Sequence, residues 1–85
     1  MNEITKRTIE EYKNYLVEEE KSSVTIEKYI RDINTFAEWS GGREITKTLV
    51  LEYKNMLTQK YAPASVNSVL SSLNGYFNYI ERYDL

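Results

Sequence analysis

The sequence contains no cysteine and no histidine, and it has only one proline and three glycines among its 85 residues. Without cysteine there is no disulfide framework, no thiolate nucleophile and no zinc site of the finger type. Without histidine, the Ser-His-Asp and Cys-His pairs of nucleophilic enzymes are excluded, and a metal could be held only by oxygen ligands. The chain is therefore a poor candidate for an enzyme by itself, and we expect no cofactor.

Long apolar runs are also missing. None approaches the roughly 20 residues that cross a bilayer, and the first residues form no apolar signal segment. Charged residues make up 28% and hydrophobic residues 41%, which is typical of one small soluble domain. We expect no membrane partner and a reduced, cytoplasmic setting.

The net charge of −2 is unevenly distributed. Residues 1–20 carry three basic and six acidic side chains, whereas residues 21–60 carry seven basic and five acidic ones. The acidic run Glu18–Glu20 is expected to be solvated surface, with a docking patch for a basic partner as the alternative. Positive charge is thus concentrated in the middle of the chain, where a polyanion would be attracted.

Apolar periodicity and turn residues predict an all-α, compact four-helix bundle with helices near 5–20, 24–40, 47–59 and 63–82. Thr8 followed by Glu11 resembles a capping box, with a helix start upstream of Thr8 as the alternative. Gly41-Gly42 end the second helix, and Pro63 opens the fourth. The predicted core positions recur at three- and four-residue spacing: Ile9, Tyr12, Leu16, Ile26, Tyr29, Ile30, Ile33, Phe36, Ala37, Leu49, Val50, Tyr53, Met56, Leu57, Val66, Val69, Leu70, Leu73, Phe77 and Ile80.

The outer face of the fourth helix is unusual because it has almost no Lys or Glu. Its members are small or amide residues: Ala64, Ser68, Ser71, Gly75, Asn78 and Arg82, flanked by Asn67, Ser72 and Asn74. Such residues are mediocre helix formers, but they allow another surface to approach the backbone. The face is predicted to contact either another helix or a nucleic acid, whose phosphates and base edges Ser and Asn can bind.

The start of the second helix offers another polar surface. Ser22, Ser23 and Thr25 lie beside the free amide groups of a helix N-terminus, which attract anions. Lys21, Lys28 and Arg31 would add attraction to the same phosphates.

Eight tyrosines raise the possibility of a tyrosine nucleophile. No cluster of arginine and histidine accompanies them to stabilise a pentavalent phosphate. We therefore expect Tyr12, Tyr29 and Tyr53 to be core residues.

The order of these motifs resembles the core-binding domain of tyrosine recombinases, the SAM-like N-terminal half of phage-integrase family proteins. The resemblance covers about residues 8–83 and rests on three segments: Ser23-Val24-Thr25-Ile26 with Tyr29 and Phe36; Ile45-Thr46 with Tyr53 and Leu57; and Pro63-Ala64-Ser65-Val66-Asn67 with Leu70-Ser71, Leu73, Phe77 and Tyr79. It implies a four-helix domain that clamps one side of double-stranded DNA at a crossover site.

The resemblance also implies a set of contact residues and partners. Together with the two polar surfaces, it predicts that DNA is bound by Lys21, Ser23, Thr25, Lys28, Arg31, Lys60, Ser65, Asn67, Ser68, Ser71, Ser72 and Asn74. The chain would be one domain, 1–85, of a longer bacterial or phage-derived recombinase whose catalytic domain acts in cis. The domain alone would be a monomer, and the full protein would be a tetramer in synapsis.

Two departures from the family pattern matter: the loss of cations predicts weak binding by the isolated domain, and the loss of a helix cap removes about 1 kcal/mol of capping. Many relatives carry Arg or Lys where this chain has Ser68, Asn74 and Asn78, and a Ser cap where it has Ala62. The alternative function is a protein-interaction domain of the SAM or adaptor type, in which the small-residue face would dock a protein or self-associate.

Overall fold

Three of the four helices are capped at their N-terminus by the hydroxyl of a threonine or serine side chain. Thr5, Ser22 and Thr46 precede α1 (Lys6–Glu18), α2 (Ser23–Ser40) and α3 (Lys47–Lys60), and each side-chain oxygen accepts a hydrogen bond from the amide three residues later. The fourth helix, α4 (Pro63–Asp84), follows Ala62, whose carbonyl accepts the Val66 amide. The computed structural model describes residues 4–84, with side chains up to residue 80. The four helices lie within two residues of the predicted ranges, and the described residues contain no strand.

The capping box of α1 differs from the predicted one. Thr5 and Thr8 form it, since the Thr8 amide donates to the Thr5 hydroxyl oxygen and the Thr5 amide donates to that of Thr8. The prediction of a box between Thr8 and Glu11 is wrong because the helix begins one residue after Thr5. Glu11 instead pairs with Arg7 on the solvent side, at 3.1 Å.

Both α1 and α2 are followed by a residue in the left-handed backbone conformation, with positive φ. Gly41 ends α2 with φ of 59°, and its amide donates to the Ala37 carbonyl. After α1, Glu20 adopts the same φ of 59°, while the Lys21 amide donates to the Leu16 carbonyl and the Glu20 amide to that of Val17. This pattern is a Schellman motif, in which a non-glycine residue is strained at the left-handed position.

The predicted stripes meet in one core. Its buried hydrophobic members are Ile9, Tyr12, Leu16, Ile26, Ile33, Phe36, Leu49, Tyr53, Leu57, Val66, Leu73 and Tyr76. All except Tyr76 belong to the predicted stripes. Each large apolar side chain buried here contributes about 1.5–3 kcal/mol relative to an exposed one, which is what holds the short helices together.

Helices α1 and α4 pack closely at Gly75. A Cβ atom at this position would lie 2.9 Å from the Tyr12 hydroxyl oxygen, closer than such atoms approach. Tyr76, next along α4, is fully buried, and its hydroxyl donates to Thr8 at 2.8 Å. Gly75 and Tyr76 therefore serve the contact between α1 and α4.

None of the helices in the described part of the chain is both long and apolar enough to cross a membrane. Within those same residues, no group of acidic side chains is gathered in a way that could hold a metal ion.

Candidate nucleic-acid interface

The start of α2 presents polar groups to solvent. The Ser22 hydroxyl accepts from the Thr25 amide at 3.2 Å and donates to the Thr25 hydroxyl at 2.9 Å. Lys21 and Ser23 are exposed, and Val24 is 75% exposed. Because Ser22 satisfies only one first-turn amide, those of Ser23 and Val24 remain available to an anion.

Lys28 lies at the contact between α2 and α4 rather than on the solvent face. Its Nζ donates to Asp32 Oδ2 at 2.7 Å, to Ser72 Oγ at 3.0 Å and to the Ser68 carbonyl at 3.1 Å. These bonds use all three protons of the ammonium group. The positive charge of Lys28 is therefore balanced by Asp32, and Lys28 adds little to attraction for DNA.

Ser72 is a structural residue, and its burial argues against the predicted direct contact with DNA. Its side chain is 0% exposed, and its hydroxyl donates to Asp32 Oδ2 at 2.8 Å. We call Lys28, Asp32, Ser68 and Ser72 the α2–α4 polar network. A matching signal exists in the sequence, since Lys28 and Asp32 are four residues apart, as are Ser68 and Ser72. This spacing places each pair on one face of its own helix, but it does not show that the two faces meet.

The outer face of α4 is thus divided in two. Ser68 and Gly75 are half-buried and Ser72 is buried, so this side packs on α1 and α2. The other side is exposed along the helix and consists of Ala64, Asn67, Ser71, Asn74 and Asn78, which we call the α4 stripe. The stripe carries no charge. The Arg82 side chain, predicted to extend this face, lies outside the described residues.

Three of the predicted cations are exposed and free of ion pairs with any residue in the described range: Lys21 before α2, Arg31 on α2 and Lys60 in the last turn of α3. Exposed Glu27 lies one turn before Arg31 on the same helix, which lowers the local positive potential. The surface therefore offers modest attraction to a polyanion.

A groove of about 300 Å³ lies between α2, α3 and α4. Arg31 and Ser65 line it, so the structure places these two predicted contact residues at one site. Tyr53 and Tyr61 from α3 and its C-terminal end also line it, and sequence reasoning did not assign them to a site. Their place in the groove depends on how α3 packs, which residue spacing alone does not reveal.

Two of the three tyrosines that were predicted to be core residues are buried. Tyr12 and Tyr53 are 2% and 1% exposed, and burial raises the pKa of Tyr12 to about 12. Tyr53 packs edge-on to Phe36, with ring centroids 4.8 Å apart. The expectation that Tyr12 and Tyr53 are core residues is confirmed, whereas Tyr29 is only half-buried at its edge.

Comparison with known protein families identifies the domain. The family model described as phage integrase, N-terminal SAM-like domain matches residues 9–83. The chain belongs to this family. The match includes α2, α3 and nearly all of α1 and α4, so both polar surfaces of this SAM-like domain lie inside it. The resemblance inferred from the residues is confirmed.

Comparisons with curated proteins and with solved structures yield no match.

Proposed function

We propose that this domain binds double-stranded DNA and positions a crossover site for the catalytic domain of a tyrosine recombinase. The observation that carries the proposal is the family match over residues 9–83, which contains both polar surfaces. The domain provides binding and orientation. Cleavage and strand transfer belong to the catalytic domain that would act in cis.

The α4 stripe is suited to close approach by a duplex. Ser71 and the amide residues Asn67, Asn74 and Asn78 are exposed, and no long side chain keeps a partner away. Hydroxyl and amide groups bind phosphate oxygens, and Asn can pair with an adenine edge in the major groove. The stripe would therefore supply register and base contacts more than electrostatic attraction.

Attraction to the DNA backbone would come from Lys21, Arg31 and Lys60, with the first-turn amides of α2 as further donors. Each cation that neutralises one phosphate contributes about 0.9 to the slope of log affinity against log salt concentration. Three such contacts predict a slope of roughly −2.7, which is shallow. We therefore expect weak, salt-sensitive binding by the domain alone.

The test is fluorescence anisotropy with a labelled duplex between about 50 and 200 mM salt. The variant Lys21→Gln/Arg31→Gln/Lys60→Gln removes the three exposed cations without disturbing the α2–α4 polar network. We expect it to weaken binding and flatten the salt slope towards zero. Lys28 is unsuitable for this test, because its replacement would leave Asp32 without its cation.

The matched control is Lys6→Gln/Arg7→Gln/Lys13→Gln, which changes the net charge equally but on α1, where all three side chains are exposed. The control should keep the salt slope of the parent protein. Equal losses in the two variants would mean that only net charge matters, and the proposed surface would then be wrong.

A protein-interaction function is the second candidate, and the absence of charge on the α4 stripe favours it. Under that function the stripe would dock a second copy or another protein. Sedimentation that finds a dimer, converted to monomer by Ser71→Arg, would support the second candidate. A monomer at all concentrations, with duplex binding, would support the DNA proposal.

A further inference from the structure

The groove between α2, α3 and α4 contains a polar group that the fold itself does not use. The Tyr53 side chain is 1% exposed, yet its hydroxyl has no hydrogen-bond partner among the described residues. Every fully buried side-chain polar atom in that part of the chain does have a partner. The Tyr53 hydroxyl must therefore reach the open space of the groove, which its side chain lines.

The hydroxyl of Tyr53 is a proton donor at neutral pH. Burial, followed by the negative charge of Asp32, raises its pKa above the usual 10.0. Because the hydroxyl reaches the groove and has no partner within the described residues, it can donate a hydrogen bond to a ligand there.

The N-terminus of α4 lies at the same groove. Ala62 has no side chain that could cap the helix, and the first internal bond runs from the Val66 amide to the Ala62 carbonyl. Pro63 has no amide proton, so the amides of Ala64 and Ser65 are the donors left at this end. The Ser65 side chain also lines the groove.

One cation and one anion, Arg31 and Asp32, line the groove. Arg31 lines it and has no ion-pair partner within the described residues. Asp32 lines it as well, but its Oδ2 is held by the Lys28 ammonium and the Ser72 hydroxyl, and Lys28 balances its charge. The guanidinium of Arg31 is therefore available to a ligand, although exposed Glu27, one turn earlier, lowers its positive potential.

We propose that this groove binds a phosphate group, held by the Arg31 guanidinium, the Tyr53 and Ser65 hydroxyls and the first-turn amides of α4. A phosphate has the several acceptor oxygens that such converging donors require. In a complex with double-stranded DNA, the bound phosphate is a phosphate of the DNA backbone. Only this identification of the ligand rests on the proposed function. Inorganic phosphate in solution has the same chemistry and is the alternative ligand of the groove.

The experiment uses ¹⁵N-labelled protein titrated with inorganic phosphate, with sodium chloride at matched ionic strength as the salt control. We expect the Ala64 and Ser65 amide resonances to shift with phosphate and not with chloride. Tyr53→Phe removes one donor while keeping the ring, and it should weaken phosphate binding about tenfold, the effect of one hydrogen bond to a charged group. The thermal midpoint should not fall, because the hydroxyl has no internal partner to lose.

Two results would overturn the site. One is the absence of phosphate-specific shifts at α4. The other is a fall in the thermal midpoint of Tyr53→Phe as large as the loss of an internal hydrogen bond, about 4–8 °C. Duplex binding that persists in either case would leave the proposed function standing.

Titration of the same two proteins with duplex distinguishes the sources. If Tyr53→Phe weakens both phosphate and duplex binding, the group is a backbone phosphate. If it weakens phosphate binding alone, the groove is a site for free phosphate, and the assignment to DNA is wrong.

Discussion

Replacement by alanine is expected to affect stability at one serine of α4 and DNA affinity at its neighbour. Ser72 is fully buried and exchanges hydrogen bonds with Asp32 and Lys28, at 2.8 and 3.0 Å. A hydrogen bond to a charged group contributes about 1.5–3 kcal/mol, and alanine regains about 0.5 kcal/mol in helix propensity. We expect Ser72→Ala to lower the free energy of unfolding by about 2 kcal/mol, or roughly 10 °C in the thermal midpoint.

Ser71→Ala is the matched control, since Ser71 is exposed on the α4 stripe. Its stability should stay within about 0.5 kcal/mol of the parent protein, because no protein contact is lost. Its affinity for duplex should fall about fivefold, as for one lost polar contact. Ser72→Ala should keep the parent affinity at temperatures where it is folded.

Thermal unfolding followed by circular dichroism, together with anisotropy at low temperature, measures both effects. An unchanged thermal midpoint for Ser72→Ala would refute the contribution of the α2–α4 polar network to stability. A loss of duplex binding in Ser72→Ala but not in Ser71→Ala would refute the assignment of the two faces of α4.

Three further predictions concern stability. Glu20→Gly should raise the thermal midpoint, because it relieves about 1 kcal/mol of left-handed strain, whereas Glu19→Gly, at φ of −81°, should not. Gly75→Ala should destabilise the protein by about 1–3 kcal/mol through its clash with the Tyr12 hydroxyl. In a Tyr12→Phe background the clash is gone and the higher helix propensity of alanine should make the same substitution stabilising, which a double-mutant cycle measures. The free energy of unfolding should fall between about pH 10 and 12, because tyrosine ionises there in the unfolded chain while Tyr12 stays protonated in the folded one. Tyr12→Phe should flatten this fall in urea titrations, and a parallel fall in both proteins would contradict the assignment to Tyr12.

The helices and most of the core could be predicted from the sequence, because both depend on local information. Thr46 and Gly41 are typical of helix ends, and Ile26, Ile33 and Phe36 recur at helical spacing and are buried as expected. The limits of local information appear at Tyr76, which the predicted core positions do not include and which is fully buried.

The candidate site was predicted only in part, since its residues belong to three helices. Spacing identified α4 as having a polar side, but it could not show that Ser68 and Ser72 face α2 while Asn67 and Ser71 face solvent. The sequence predicts that Lys28 attracts phosphates, because it lies near the start of α2 together with Lys21 and Arg31. Only the packing of α2 on α4 reveals that its charge is already balanced.

The central claim is that the start of α2 and the α4 stripe face double-stranded DNA. The most direct measurement is a titration of ¹⁵N-labelled protein with duplex at low ionic strength, followed through the backbone amide resonances. We predict that the resonances of Ser23, Val24, Asn67, Ser71 and Asn74 shift, while those of the exposed residues of α1 stay in place. Shifts confined to α1, or none at all, would contradict the claim.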